Sequence, residues 1–274
     1  DVFDAAGIAY PSNDMTMEDY DALARQLTDT TYGSQVYGCH YHTWRSAVEL
    51  FGILDGKHSI LDGNYDWMIP YYDMILSEED DGVCQTYTDL STEGLHYSAA
   101  FSNGNVAMMN MGSWFISTLI SNLDSGEYDS SLCGNWGIAS YPHPDGAEAG
   151  STIATITGLA VTSASANKDA AFDFVNWVSG TEGAKVMAST GNFPAIMTDD
   201  VINTIAGMAG FPTDEGSKEA LNITNAYLEV PYAENVSEIN SILDTYHTSI
   251  MNREVTVEEG VASMNEQVGK ILNQ

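Results

Sequence analysis

Apolar positions along the chain alternate between two periodicities, and the alternation predicts an α/β fold. Val106 to Met109 is an apolar run too short for a helix and reads as a buried strand. Gly112 then allows close backbone approach, and Ser113 suits the N-cap of a helix over 114–123. This strand, turn and helix leave Trp114 on a first helical turn at a strand's carboxyl end, where open α/β sheets hold ligands. A core tryptophan on an amphipathic helix is the competing reading.

Upstream, 3–10 and the following Pro11-Ser12-Asn13-Asp14 read as a loop entering a helix. Thr16 caps that helix, Asp19 takes its third position, and Leu23 and Leu27 form its stripe. After Tyr32-Gly33, an aromatic and histidine cluster at 37–44 opens a helical pattern that runs through Leu54 to Gly56. Residues 66–76 carry apolar groups at helical spacing, with Pro70 permitting only a kinked or late-starting helix. The acidic run Glu78-Glu79-Asp80-Asp81 reads as a solvated turn ending it. The pattern further predicts a helix over 92–102 and strands at 137–141 and 155–162. The clearest amphipathic helix starts at Asn167, with Ala170, Ala171, Phe174, Val175 and Val178 on one side. Gly180 to Gly183 separates it from a helix ending at 190–194. The remainder reads as helical near 199–209, 217–228, 235–251 and 256–272, the last opening on a Thr256-x-x-Glu259 capping box.

Composition narrows the function classes. The 274 residues suit one large or two modest domains, and 44% apolar residues with 10% aromatics indicate a globular chain. No apolar run approaches the ~18 residues of a membrane span. Eight basic against 39 acidic residues give a formal charge of −31, a field that repels phosphate backbones and anionic lipid, so nucleic acid is not an expected partner. Because charged residues are only 17% of the chain, neutral polar groups finish the surface. Cys39, Cys84 and Cys133 are too few and too far apart for a disulfide scaffold or a closed zinc site, although one pair could bridge in an exported protein and leave an odd thiol. Asp1 follows no basic and apolar leader, so any export signal is expected outside the given sequence.

The candidate chemistry is that of binding. His40 and His42, with Cys39, invite a metal reading, but no third ligand lies at a spacing that closes such a site, and hydrogen-bonded loop histidines are the alternative. Tyr41 and Trp44 offer flat faces with a polar edge, which stack on sugar rings; core packing competes for Trp44. The acidic run lacks the alternating oxygens and distal glutamate of a calcium loop. Among the acids no carboxylate pair for glycoside hydrolysis can be singled out. Nucleophilic-serine, phosphate-cradling and dinucleotide motifs are absent. No catalytic residue, metal or cofactor is assigned.

Several segments in order, 101–109 (FSNGNVAMM), Gly112-Ser113-Trp114, Gly158-Leu159-Ala160-Val161, 167–175 (NKDAAFDFV) and Gly191-Asn192-Phe193-Pro194-Ala195, resemble the extracellular solute-binding proteins of the maltose-binding type, family one of the ABC importer receptors. The resemblance implies a periplasmic-binding-protein-like type II clamshell: a C-terminal lobe plus an incomplete N-terminal lobe, because the family's amino-terminal portion has no counterpart here. Asp1 to Gly7 resembles the stretch entering the second lobe. Residues 1–152 and 215–274 would build the C-terminal lobe and 153–214 the remaining part of the N-terminal lobe, so the chain is expected to be a fragment or truncated form. A strand at 157–161 would then lack its neighbours, which makes a dimer, a swapped strand or disorder there an expectation.

By position, the resemblance makes Tyr41 and Trp114 aromatic platforms and adds Tyr232, after Pro231, as a cleft-facing ring. Asn192 and Phe193 would line the rim, and Glu234 and Asn235 would supply polar edges, with helix capping as their alternative role. The implied ligand is a neutral sugar or oligosaccharide, which suits a chain with few cations. The implied partners are the transmembrane permease subunits of an ABC importer, signalled by hinge closure. The implied location is extracellular, periplasmic or as a cell-surface lipoprotein. A glycoside hydrolase, or a polyamine or metal receptor on the same fold, are the alternative functions.

Overall fold

A computed structural model of the protein describes residues 1–29 and 35–273; the expected break at Tyr32-Gly33 lies outside them. The chain runs through α1 (Val2–Ala6), α2 (Met17–Asp29), β1 (Tyr37–His40), α3 (Ser46–Ile53) and a 3-10 turn (Asp66–Met68) into α4 (Ile69–Asp80). Next come α5 (Tyr87–Glu93), α6 (Tyr97–Ser102), β2 (Val106–Met109), α7 (Trp114–Ser125), α8 (Ser130–Cys133) and β3 (Thr152–Ala154). The order ends with α9 (Lys168–Val178), α10 (Thr181–Ala188), α11 (Asp199–Ala206), α12 (Glu215–Glu219), β4 (Ala226–Leu228), α13 (Val236–Met251) and α14 (Val257–Leu272).

These elements form two units, Asp1–Asn110 with Ala139–Thr155 and Ile223–Gln274, and Met111–Ile138 with Ile156–Asn222. The expected segments 1–152, 153–214 and 215–274 differ from this division chiefly at 111–138, which packs with the second unit.

In the first unit β1 and β2 pair in parallel, Tyr37 opposite Val106 and Cys39 opposite Met108. Helix α2 lies so close over β1 that a Cβ on Gly38 would sit 1.8 Å from the Ala24 carbonyl oxygen, so only glycine fits there. A second parallel pair joins β3 to β4. The core beneath is large: Tyr20, Leu27, Phe51, Met68, Tyr72 and Leu243 are among its buried members. Helices α2 and α14 both begin on reciprocal caps. Asp19 N–H donates to Thr16 Oγ1 at 3.1 Å while Thr16 N–H donates to the Asp19 carboxylate, and Thr256 and Glu259 do the same.

The second unit has a smaller core around Ile116, Ala184, Ala188, Val201, Ile205 and Leu221. Its helix α9 starts at Asn167, where the pattern places it, yet none of its residues is buried. Phe174 is 60% and Trp177 49% exposed, their rings stacked 6.4 Å apart. Ala171, Val175 and Val178 are half-buried, so the apolar side is covered in part, and Phe174 and Trp177 are its exposed remainder.

Several expected elements take another form. The helix expected over 92–102 is broken into α5 and α6, because Gly94 adopts φ +63° and caps α5 while His96 caps α6. Residues 137–141 and 155–162 form no strand: pairing stops at Ala154, and Ile156 and Leu159 are exposed. The stretch 217–228 ends a short helix and enters β4, whose pairing partner β3 lies more than seventy positions upstream. Residues 2–6 are helical. Pro70 sits in the first turn of α4, the late start its missing N–H tolerates. The acidic run is not a solvated turn: α4 continues to Asp80, and Glu78 and Glu79 are buried. Ser113 stands at the start of α7, but its side chain makes no capping hydrogen bond.

Candidate functional site

The carboxyl ends of β1 and β2 carry a group of aromatic side chains in the first unit. Beyond His40 the chain turns through Tyr41, His42, Thr43 and Trp44 before α3 begins. The His42 ring meets Trp44 edge-on at 4.5 Å, Tyr97 at 5.4 Å and His96 at 5.9 Å. Trp44 lies 5.7 Å from Tyr97, which itself packs 4.0 Å from His96. Trp44 keeps 44% of its surface exposed, so the cluster is open to solvent at its ring. Two buried polar atoms at the same end, Nδ1 of His42 and Nδ2 of Asn110 just after β2, have no hydrogen-bond partner among the described residues.

The His40 and His42 imidazoles are held towards their neutral forms. Burial pulls the His42 imidazole below its usual range, with His96 adding to the effect, and burial together with His42 brings His40 down to about 4. Beneath His42 a void of about 10 Å³, touched by Tyr41, Glu79, Gln85 and His247, holds at most one water.

Arg45 fixes the loop from behind. Its buried guanidinium pairs with Glu49 one turn along α3, donates from Nε to Asp244 at 2.8 Å and from Nη2 to Asn240 at 2.6 Å, both on α13. This joins the aromatic loop to the helix that Asn235 opens. Asn235 itself sits at φ 62° and does not cap α13 with its side chain, so the capping role open for it is not the one it plays. Glu234 is exposed beside it, and Tyr232 projects fully into solvent.

Tyr41 requires a correction. It is 6% exposed, packs edge-on against Phe51 at 6.3 Å and Tyr20 at 6.4 Å, and so has no face to give a ligand. The cause is β1, whose consecutive residues Gly38, Cys39 and His40 are all buried, leading Tyr41 into the core before the chain turns outward. His96 and Tyr97 escaped the sequence reading, which ran one helix through them. A histidine ahead of a short helix was the one available signal.

In the second unit Trp114 opens α7 and is 42% exposed. Its ring lies over Gly112, where a Cβ would come within 2.0 Å of the indole. The turn at Gly191, φ +76°, packs against Ser117 one turn along α7. It thereby brings Asn192, exposed and donating to Thr190 Oγ1 at 2.8 Å, and Phe193, half-buried on the second core, to the flank of the same helix.

No curated protein matches the chain. A family model described as bacterial extracellular solute-binding protein matches residues 80–209. Among solved structures, a sugar transporter protein of Rhizobium etli in an open conformation is 47% identical, with 98% of this chain and 67% of that one covered and a TM-score of 0.89. An ABC substrate-binding protein of Listeria monocytogenes in complex with cycloalternan is 20% identical over 99% of this chain and 67% of its own, with a TM-score of 0.75. Maltose-bound MalE3 of T. maritima is 15% identical over 98% and 68%, with a TM-score of 0.72. The chain thus spans about two thirds of the length of these proteins, and the periplasmic-binding-protein-like fold expected from its motifs is the fold they share. On the matched family model and the Rhizobium etli similarity together, the chain belongs to the bacterial extracellular solute-binding proteins.

Proposed function

We propose that the protein is the substrate-capturing component of a carbohydrate ABC importer, holding a neutral sugar or oligosaccharide for delivery to transmembrane permease subunits. The observation that carries this reading is the aromatic cluster of His42, Trp44, His96 and Tyr97 at the carboxyl ends of two parallel strands, with the Asn110 amide and His42 Nδ1 unpartnered at the same end. Ring faces match the CH surface of a pyranose and the polar atoms its hydroxyls. The cycloalternan and maltose held by two similar proteins, and the sugar-transporter character of a third, support the same class.

Trp44 and Trp114 are the stacking residues of this proposal, each within its own unit. Asn192, Phe193, Tyr232, Glu234 and Asn235 are secondary contacts. The first unit corresponds to the C-terminal lobe and the second to part of the N-terminal lobe. The family places the protein outside the cytoplasm; anchoring as a lipoprotein or release into a periplasm belongs to the proposal. Binding without turnover is part of it too.

The test is titration calorimetry against a panel of neutral oligosaccharides, with chromatography of the sugar afterwards. One sugar should bind and be recovered intact. Trp44→Ala should weaken it by roughly 1–3 kcal/mol with the far-ultraviolet circular dichroism unchanged. Hydrolysed sugar would make the protein a glycosidase, and stabilisation by a polyamine or metal cation alone would assign it to another ligand class.

A further inference from the structure

Cys39 occupies β1, and the backbone of that strand runs beside the turn following α4: Gly38 N–H donates to the Val83 carbonyl at 2.8 Å, and Cys39 N–H reaches the same oxygen at 3.4 Å. Cys84 is the next residue. The two side chains therefore leave adjacent backbones, and their sulfurs, with a Glu78 carboxylate oxygen, all lie within 4.8 Å of one another. Both cysteines are buried in the first unit, while Cys133 is buried in the second.

We infer that Cys39 and Cys84 are joined by a disulfide in the exported protein, with Cys133 left as its free thiol. The family's compartment is oxidising, the condition under which such bonds form and persist. The bridge fastens β1 to the end of α4 and so closes the segment that carries Trp44, Arg45 and α3. A zinc ion is the rival occupant of this cluster, but a closed structural site takes four donors and three converge here among the described residues.

The chemistry balances with an exported thiol–disulfide oxidoreductase as oxidant. One cysteine thiolate attacks a sulfur of the oxidoreductase's disulfide and forms a mixed disulfide. The second thiolate then attacks the cysteine sulfur of that bond and expels the oxidoreductase as a dithiol. Two protons leave the cysteines, two electrons pass to the oxidoreductase, and one S–S bond remains. Burial pushes the Cys39 thiol well above its ordinary range, with Cys84 and Glu78 adding to it, so thiolate is scarce once the core has closed.

The experiment alkylates the exported protein after denaturation without reductant and maps it by mass spectrometry. A single alkylated site at Cys133 and a cross-linked peptide pair containing Cys39 and Cys84, lighter than the reduced pair by two hydrogens, is the expected result. Three alkylated cysteines would overturn it, and three with one zinc per chain by elemental analysis would assign the cluster to the metal. Melting of C39S, C84S and the double variant gives a second readout. A bridge predicts that each single change lowers Tm by about as much as the double, on the order of 10 °C for a loop of this length. Additive losses, each absent from the reductant-treated wild type, would show two independent thiols.

Discussion

At Gly38 the absence of a side chain sets where α2 can lie. A Cβ there would overlap the Ala24 carbonyl oxygen, which is backbone and has nowhere to move. Gly38→Ala should therefore cost about 1–3 kcal/mol or more in urea denaturation, well above the gain that removing a flexible glycine gives elsewhere. Glu78 makes a different prediction. Burial raises its carboxyl to about 8, with Tyr41 facing it and Asp21 adding repulsion. The folded state thus keeps a proton that the unfolded chain releases near 4.5, and this contribution, whole below 4.5, is lost as pH rises towards 8. His40 and His247 work in the opposite sense: burial holds them at about 4 and about 3, so stability is lost as pH falls below 6.5 towards those values. Stability should peak near pH ~6.5 and decline on the alkaline side, and Glu78→Gln should abolish that alkaline decline in chemical denaturation measured across pH 5 to 9, roughly.

Among the elements, α14 is held at its start by a capping box that is explicit in the sequence. Thr256→Ala should lower stability by about 1 kcal/mol in thermal or urea unfolding, while Thr256→Ser should restore most of it. Signals of this local kind were legible beforehand. The caps at Thr16 and Thr256, the strand at 106–109 and the start of α9 at Asn167 all depend on residues within a few positions of one another. Elements that depend on distant partners were not. β4 exists because β3 lies alongside it, and neither three-residue strand has a period to read. The same divide separates the site residues. Trp44 and Trp114 could be singled out as rings next to turns, whereas the burial of Tyr41 and the meeting of His42 with His96 and Tyr97 are products of topology.

On the scale of the whole molecule, a formal charge of −31 opposes association while the exposed rings of Phe174 and Trp177 on α9 favour it. Salt screens the first and leaves the second, so the 274-residue chain should self-associate increasingly as ionic strength rises. Analytical ultracentrifugation of the wild type beside a Phe174→Ser, Trp177→Ser variant checks this: the variant should stay monomeric where the wild type does not. Equal behaviour would show that another surface is responsible.

The Arg45 contacts carry a last implication, for biosynthesis. Asn240 and Asp244 are 195 and 199 residues beyond the arginine that grips them. A chain under synthesis therefore holds the Trp44 tip without this clasp until α13 has been made. A chain halted anywhere before α13 would present that ring unfixed, and with it a poorer stacking surface for cargo.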